Sequence, residues 1–313
     1  MKIFQSISEF QSNKKTVVTL GTFDGVHLGH QKIIEKLTQH ANTGDLESVV
    51  LTFFPHPRMV LQEQSEIRLI NTIEERTLLL AKTGLDNLII HPFDKAFSRL
   101  TAEEFVQEIL VDRLNIGKIV IGHDHRFGRN RTADINDLIA FGQQYDFEVE
   151  QISAQEIDAV SISSTKIRTA LEHGNISLAN DYLGYDYFLT GTVVKGKQLG
   201  RTIGFPTANI EIGANYKLIP KKGIYVVAST INGKNVYGMM SIGTNPTVTD
   251  DNKLSIEVYY LDFEGDLYGK NLQVSFLAYI RDEQKFEDLD TLKRQIEFDR
   301  NWSNNFIANN LKP

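Results

Sequence analysis

Short apolar runs alternate with amphipathic helical stretches through the first half of the chain. Residues 17–20, Val-Val-Thr-Leu, have the pattern of a buried strand, and a helical pattern follows at 31–40. The same succession continues with predicted strands at 48–54, 87–90, 118–121 and 148–152 and predicted helices at 73–83, 102–114 and 135–145. This alternation predicts an α/β unit with a parallel, doubly wound sheet. Ligands of such sheets bind beyond the carboxyl ends of the strands.

The second half has a different pattern. Six short strands separated by turn residues are predicted at 188–194, 208–212, 223–231, 234–242, 255–261 and 271–280. The dipeptide Asn232-Gly233 between two of them is typical of a tight hairpin. Together they predict a small six-stranded β-barrel, followed by a C-terminal helix over 288–309. We therefore expect two domains, 1–185 and 186–313.

Composition narrows the class of protein. The 313 residues include 33 Lys and Arg against 40 Asp and Glu, a net charge of −7, which disfavours a strongly basic nucleic-acid-binding protein. The absence of cysteine excludes disulfides, Cys-ligated metals and a Cys nucleophile, and fits a reducing compartment. Because neither a signal-like N-terminus nor an apolar run of about 20 residues is visible, we expect a cytoplasmic protein without membrane contact. We expect a monomer or a weak homo-oligomer.

One compact motif stands between the first long strand and its helix. The sequence Gly21-Thr-Phe-Asp-Gly-Val-His27-Leu-Gly29-His30 carries glycines that allow close backbone approach and two histidines three residues apart. A helix N-terminus with two imidazoles suits an anionic phosphate. A turn with two surface histidines is the simpler reading of the pair alone, but the strand–turn–helix context favours the phosphate site.

Two further polar segments belong to the first half. After the strand at 118–121 comes a loop with Arg126, Arg129 and Arg131, and residues 162–168 read Ile-Ser-Ser-Thr-Lys-Ile-Arg at the start of a helix. Arginines clamp polyphosphates, and hydroxyls at a helix start bind phosphate or simply cap the helix. Taken alone, the arginine segment is better explained as a solvated charged loop, and an N-cap is a strong alternative explanation of residues 162–168.

The second half has its own candidate chemistry. A glycine-rich stretch at 191–204 permits a nest of backbone N–H groups for phosphates, although no P-loop pattern is present. Thr207 and Asn209 alternate in a strand, and such oxygen ligands suit Mg²⁺. Glu257 lies on the polar face of another strand, where it is either a general base or a solvent-facing carboxylate.

These motifs carry a family resemblance. GTFDGVHLGH resembles the HxGH signature of nucleotidylyltransferases, and its order with FFPHP, GHDHRFG and ISSTKIR resembles the adenylyltransferase module of bacterial bifunctional riboflavin kinase/FAD synthetases. The segments GRTIGFPTANI, PKKGIYVV, IGTNPTV, IEVYYLDFEGDLYG and FLAYIRDEQKF resemble the riboflavin kinase module of the same family. Both sets occur in the family's order and cover nearly the whole chain.

The resemblance implies a fold, two activities and a set of site residues. The fold would be a Rossmann-like nucleotidylyltransferase domain followed by a riboflavin kinase barrel. The second module would phosphorylate riboflavin to FMN with ATP and Mg²⁺, and the first would adenylylate FMN to FAD with release of pyrophosphate. The implied catalytic residues are Glu257, His27 and His30; the implied ATP- or phosphate-binding residues are Gly21, Phe23, Gly29, Ser164, Thr165, Arg168, Gly196, Gly200, Gly204 and Pro206, with Lys195 or Lys197 adding charge; the implied flavin-binding residues are Asp124, Arg126 and Arg281; the implied metal ligands are Thr207 and Asn209.

Other classes of protein share parts of this pattern. A class I tRNA-ligating enzyme also carries an HxGH-like motif, but the uncharged balance of the second half, 15 basic against 15 acidic residues after Tyr185, argues against a tRNA surface. A flavin-binding protein without catalysis, and a relative with one activity only, stay open as alternatives.

Overall fold

The computed structural model describes residues 1–62, 66–123, 126–153, 162–196, 198–244 and 254–310. The chain divides into two compact units, Met1–Ser164 and Thr165–Pro313. The sequence places the boundary between the two functional modules later, after residue 185, and that placement stays a prediction.

The first unit is built on a six-stranded sheet that is parallel, as predicted. Its strands are β1 (Lys2–Phe4), β2 (Thr16–Leu20), β3 (Glu47–Phe53), β4 (Asn87–His91), β5 (Ile116–Gly122) and β6 (Glu148–Ile152), in the order β1-β4-β3-β2-β5-β6. Its helices are α1 (Leu28–Gly44), α2 (Pro57–Leu61), α3 (Ile73–Ala81), α4 (Ala102–Glu104) and α5 (Ile135–Tyr145).

Helices cover both faces of this sheet because its strands are apolar on both sides. Val17 packs with Ile34 of α1 and Leu80 of α3, whereas its neighbour Val18 belongs to a separate core with Leu110 and Leu138. Successive residues of a strand point to opposite faces, so the two cores define three layers, helix–sheet–helix.

The strand order creates a switch point beside β2. The chain runs outward from β2 through β3 to β4 and then returns to place β5 on the other side of β2. Loops that leave two neighbouring strands in opposite directions open a crevice at their carboxyl ends. The segments that follow β2 and β5 therefore open on the same crevice.

Some elements of the first unit differ from the prediction, and the short helix α2 is one that was not predicted. The edge strand β1 was not predicted, because three residues are too few to show a period. The helix expected at 102–114 is α-helical only through Glu104 and continues as a π-helix over Phe105–Val111, where the Asp112 amide donates to the Gln107 carbonyl at 3.0 Å.

The second unit contains the predicted six-stranded barrel. Its strands are β7 (Phe188–Val194), β8 (Ala208–Glu211), β9 (Gly223–Ile231), β10 (Lys234–Thr244), β11 (Leu254–Tyr260) and β12 (Asn271–Arg281), closed in the order β10-β11-β8-β7-β12-β9 with antiparallel neighbours throughout. The helices around it are α6 (Ser164–Glu172), α7 (Ile176–Leu183), α8 (Leu199–Thr202) and α9 (Leu289–Asn310). Asn232 and Gly233 have φ of 52° and 77°, so the predicted tight hairpin joins β9 to β10.

Candidate active sites

The loop between β2 and α1 holds an unusual backbone. Phe23, Gly25 and Val26 have φ of 47°, 92° and 37°. Positive φ is costly for Phe and for the β-branched Val, so the surroundings must enforce it. Both side chains are buried in the core beneath the loop, at 2% and 1% exposure, and their burial fixes the loop. At Gly21 an added Cβ would lie 3.3 Å from the Phe23 ring.

The two histidines of the motif are stacked at the start of α1. His27 is the N-cap residue and its Nδ1 accepts the amide N–H of His30 at 3.4 Å. Their rings lie 3.6 Å apart at 17°. Gly29, between them in sequence, is buried in the first turn of the helix.

His30 is held as a neutral imidazole. Burial lowers its pKa well below the ordinary value, and the positive charges of His27 and Arg76 lower it further. Among the described residues, its buried Nδ1 has no hydrogen-bond partner. A buried ring nitrogen beside a helix N-terminus can hydrogen-bond a phosphate oxygen.

The hydroxyl motif of the sequence lies across the boundary of the two units. Ser164, the first residue of α6, donates its Oγ–H to the Asp24 carbonyl at 2.8 Å. The structure therefore brings it to the loop of residues 21–27 between β2 and α1, here called the histidine loop. Thr165 and Arg168 follow on α6 within the second unit, the first exposed and the second half-buried. Their place beside the histidines stays a prediction.

The loop that carries Arg126, Arg129 and Arg131 follows β5 and opens on the crevice at the carboxyl ends of β2 and β5. Arg126 is exposed. Phe127 and Ala133 then exchange two backbone hydrogen bonds, at 3.1 and 3.2 Å, which close the loop that carries Arg129 and Arg131. Asp124 lies outside the described residues, so its predicted flavin contact is not addressed.

The second candidate site is centred on Glu257 of β11. Its Oε2 accepts the Thr207 Oγ–H at 2.8 Å, and its Oε1 accepts the Ser255 Oγ–H at 3.0 Å. Asn209 of β8 is its register partner across the sheet. The alternate residues Ile256 and Val258 are buried, so Glu257 lies on the opposite, more polar face of the strand. Two accepted hydrogen bonds orient this carboxylate.

The glycine-rich segment packs directly against these residues. A Cβ on Gly196 would lie 2.5 Å from Cγ and 2.7 Å from Oδ1 of Asn209. A Cβ on Gly200 would meet the Phe205 carbonyl oxygen, which precedes Pro206, and would lie 3.6 Å from Thr207 Oγ1. Gly204 has φ of 87°. Only glycine lets the loop approach the polar residues this closely. Lys195 beside it is exposed; Lys197 lies outside the described residues.

Arg281 ends β12 and is bound to the C-terminal helix. Its Nε donates to Asp299 Oδ1 at 3.0 Å and its Nη2 to Oδ2 at 2.7 Å, while Asp299 is 2% exposed. Gln295 donates to the same carboxylate at 3.0 Å. The ion pair joins α9 to the barrel, and the predicted flavin contact of Arg281 is not tested by it.

Sequence reasoning missed a buried ion pair beneath the histidine loop. The Arg76 Nη2 of α3 lies 3.8 Å from Oδ1 of Asp24, and both side chains are about 1% exposed. A signal was present: Arg76 falls on the same buried helix face as Leu80, where a charge is rare.

Comparison with known proteins assigns the class. The family model described as FAD synthetase matches residues 9–166, and the one described as riboflavin kinase matches residues 183–307. A bifunctional riboflavin kinase/FMN adenylyltransferase from Listeria monocytogenes is 40% identical over 93% of this chain and 92% of its own length. The protein of the same name from Escherichia coli K12 is 35% identical over 98% of both chains.

Both sites thus fall within transferases of flavin cofactor biosynthesis. The chain belongs to the family of bifunctional riboflavin kinase/FMN adenylyltransferases. A crystal structure described as a macrolide-efflux protein from Streptococcus pneumoniae is also similar, with a TM-score of 0.87 and 32% identity over 99% of both chains. Within the ranges that the structure describes, no helix is long and apolar enough to cross a membrane.

Proposed function

We propose that residues 1–185 adenylylate FMN and residues 186–313 phosphorylate riboflavin, each at the site described above. The observation that carries this proposal is that each family match covers one of the two sites found in the structure. The FAD synthetase match covers the histidine loop, and the riboflavin kinase match covers Glu257 with its glycine loop. Riboflavin, FMN and ATP are the small-molecule substrates.

In phosphoryl transfer, Glu257 is the general base. The ribityl 5′-hydroxyl of riboflavin gives its proton to the Glu257 carboxylate as the oxygen attacks the γ-phosphorus of ATP, and ADP leaves. The hydrogen bonds from Thr207 and Ser255 hold that carboxylate in one orientation. Phosphoryl transfer depends mainly on positioning and on charge stabilisation. We assign part of that charge to backbone N–H groups of the glycine-rich segment and to Lys195 or Lys197.

The oxygen groups beside Glu257 fit a magnesium ion. Thr207 Oγ1 and the Asn209 side-chain oxygen are hard donors, and Asn209 is the register partner of Glu257, which accepts the Thr207 hydroxyl. Among the described residues, no group of three or more His, Asp or Glu is placed to hold a metal. When bound, Mg²⁺ neutralises phosphate charge.

In adenylyl transfer, the FMN phosphate is itself the nucleophile. Its oxygen attacks the α-phosphorus of ATP and pyrophosphate leaves, so no side-chain nucleophile is needed. His27 and His30 donate hydrogen bonds to the phosphates as charge moves to the leaving group. The N-terminus of α1 adds its dipole. Gly21, Phe23, Gly29 and Ser164 shape the loop, and Thr165 and Arg168 bind the polyphosphate.

The finer expectations from the sequence complete the proposal. Asp124, Arg126 and Arg281 contact flavin. The protein acts in the cytoplasm as a monomer or weak homo-oligomer, without nucleic acid or membrane partners.

The test of this proposal separates the two activities in one molecule. Glu257→Gln keeps the size of the side chain and removes the base, so it should abolish most FMN formation from riboflavin while FAD formation from added FMN continues. Glu264→Gln is the matched control, an exposed acid in the same module. FMN formation at the normal rate in Glu257→Gln would refute the assigned role.

A further inference from the structure

A buried charge pair lies at the histidine loop of the first unit. Arg76 belongs to α3, which begins at a capping box formed by Thr72 and Glu75. Its guanidinium and the Asp24 carboxylate are both about 1% exposed and lie 3.8 Å apart. Removing two charges from water is costly, and apolar residues of similar volume often stabilise such a position equally well. Stability alone therefore gives little reason for this pair.

Asp24 connects the loop to its support. Its Oδ1 accepts the Ile70 amide at 3.0 Å and the Asn71 amide at 3.3 Å, and its own carbonyl accepts the Ser164 hydroxyl. Because Asp24 lies between Phe23 and Gly25, both at positive φ, its carboxylate holds the strained part of the loop.

Arg76 reaches the same loop along a second route. Its Nη1 donates to Thr52 Oγ1 of β3 at 3.5 Å, and Thr52 Oγ1 donates to the Thr22 carbonyl at 3.3 Å. The guanidinium thus supports the loop at two points. It lies beside the Asp24 side chain, and through Thr52 it is linked to the Thr22 carbonyl.

The charge of Arg76 also acts on the histidine pair. Arg76 contributes to the depressed pKa of His30, after burial and the charge of His27. Among the described residues, the charges that lower the pKa of His30 are those of His27 on its own helix and Arg76 of α3. Two further carboxylates belong to these elements: Asp24 of the loop lies 3.8 Å from Arg76, and the buried Glu75 of α3 accepts the Thr72 amide. A cation buried at this position favours an anion above it, since the interior screens charge less than water does.

We propose that Arg76 is a positioning residue for adenylyl transfer: through Asp24 it fixes the histidine loop, and it places a permanent positive charge beneath the phosphates. The inference rests on the proposed function of the first module. Arg76 does not touch the reacting atoms, so its effect passes through the loop and through His30.

The test compares three variants of the full chain. Arg76→Met removes the charge with an unbranched side chain, Arg76→Lys keeps the charge without the planar fork, and Lys82→Met removes an exposed charge at the end of the same helix. We measure kcat and KM for ATP in FAD formation from FMN across the pH range in which histidine titrates. Riboflavin phosphorylation by the same molecules reports on the second module.

Arg76→Met should lower kcat/KM of FAD formation by about 100-fold, the effect of a misplacement near 1 Å, with normal FMN formation. In the pH profile of kcat/KM for this variant, the fall in rate on the acidic side should move to higher pH, because loss of the charge lets the pKa of His30 rise. Arg76→Lys should lose less kcat/KM and keep the wild-type pH profile. Lys82→Met should match the wild type in both.

A purely structural role predicts different results. If Arg76 only balances Asp24, the double variant Asp24→Asn/Arg76→Met restores FAD formation with an unshifted pH profile, and the proposal is overturned. Under the proposal, the double variant folds but keeps both the low rate and the shifted pH profile. If Arg76→Met loses both activities, Arg76→Lys and the double variant decide between these outcomes. A wild-type protein that forms no FAD contradicts the proposed function itself, whereas active wild type with an indifferent Arg76→Met contradicts this inference alone.

Discussion

Replacing Gly196 by alanine tests whether Asn209 is held at the phosphoryl-transfer site. A Cβ at this position would lie 2.5 Å from Cγ of Asn209, whereas ordinary contacts of a Cβ begin at 3.4 Å. The Asn209 amide must therefore move by about 1 Å or the loop must open. A displacement of that size at a catalytic site costs roughly 100-fold in rate, about 2.7 kcal/mol of transition-state stabilisation.

The assay follows FMN formation from riboflavin and ATP in the full chain, with FAD formation from FMN as the internal reference. Gly213→Ala is the matched control, because no atom lies within 4 Å of its added Cβ and the position is exposed. Gly196→Ala should lose about 100-fold in kcat of phosphorylation and nothing in adenylylation. Phosphorylation within threefold of the wild type would refute the role given to Asn209.

Three further predictions follow from the same structure. His27→Ala should lower FAD formation by about 100- to 1,000-fold, as loss of a preorganised donor does, and spare FMN formation; chromatography of the flavins measures both, and loss of both would indicate misfolding instead. Arg281→Met should lower the free energy of unfolding of the second unit by about 3–5 kcal/mol, because it leaves the buried Asp299 unpaired, and Arg281→Met/Asp299→Leu should recover most of it in denaturant titrations. His30 has a lowered pKa in the folded protein, so it takes up a proton on unfolding below about pH 6.5. The free energy of unfolding should therefore fall as pH drops through that value, and fall less in His30→Gln. Equal pH dependence of the free energy of unfolding in the two proteins would refute the burial argument.

Local patterns were sufficient where local forces decide the structure. The apolar run of β2 and the Asn232-Gly233 turn are read directly from sequence, because burial and positive φ restrict the residues allowed. The alternation of Thr207 and Asn209 about Ala208 predicts that both side chains point the same way. In the structure Thr207 lies just before β8 and Asn209 lies within it, and their shared metal site stays a prediction. The structure adds that Glu257, fifty residues later, accepts the Thr207 hydroxyl.

Long-range packing decided what the sequence left open. The π-helical turn at Phe105–Val111 has no side-chain signature, since its apolar spacing is also that of an α-helix. The partner of Asp24 was hidden because Arg76 belongs to a helix and lies 52 residues further along the chain. The ion pair of Arg281 with Asp299 was likewise hidden, because the burial of Asp299 depends on the docking of α9, and the flavin contact of Arg281 stays a prediction.

The most direct test of the whole account is to incubate the purified protein with riboflavin, ATP and Mg²⁺ and to separate the flavins by chromatography over time. The account predicts that FMN appears first and FAD follows at its expense. FMN without FAD would contradict the assignment of the histidine loop, and riboflavin that stays unchanged would contradict the central claim that the chain is a two-step flavin transferase.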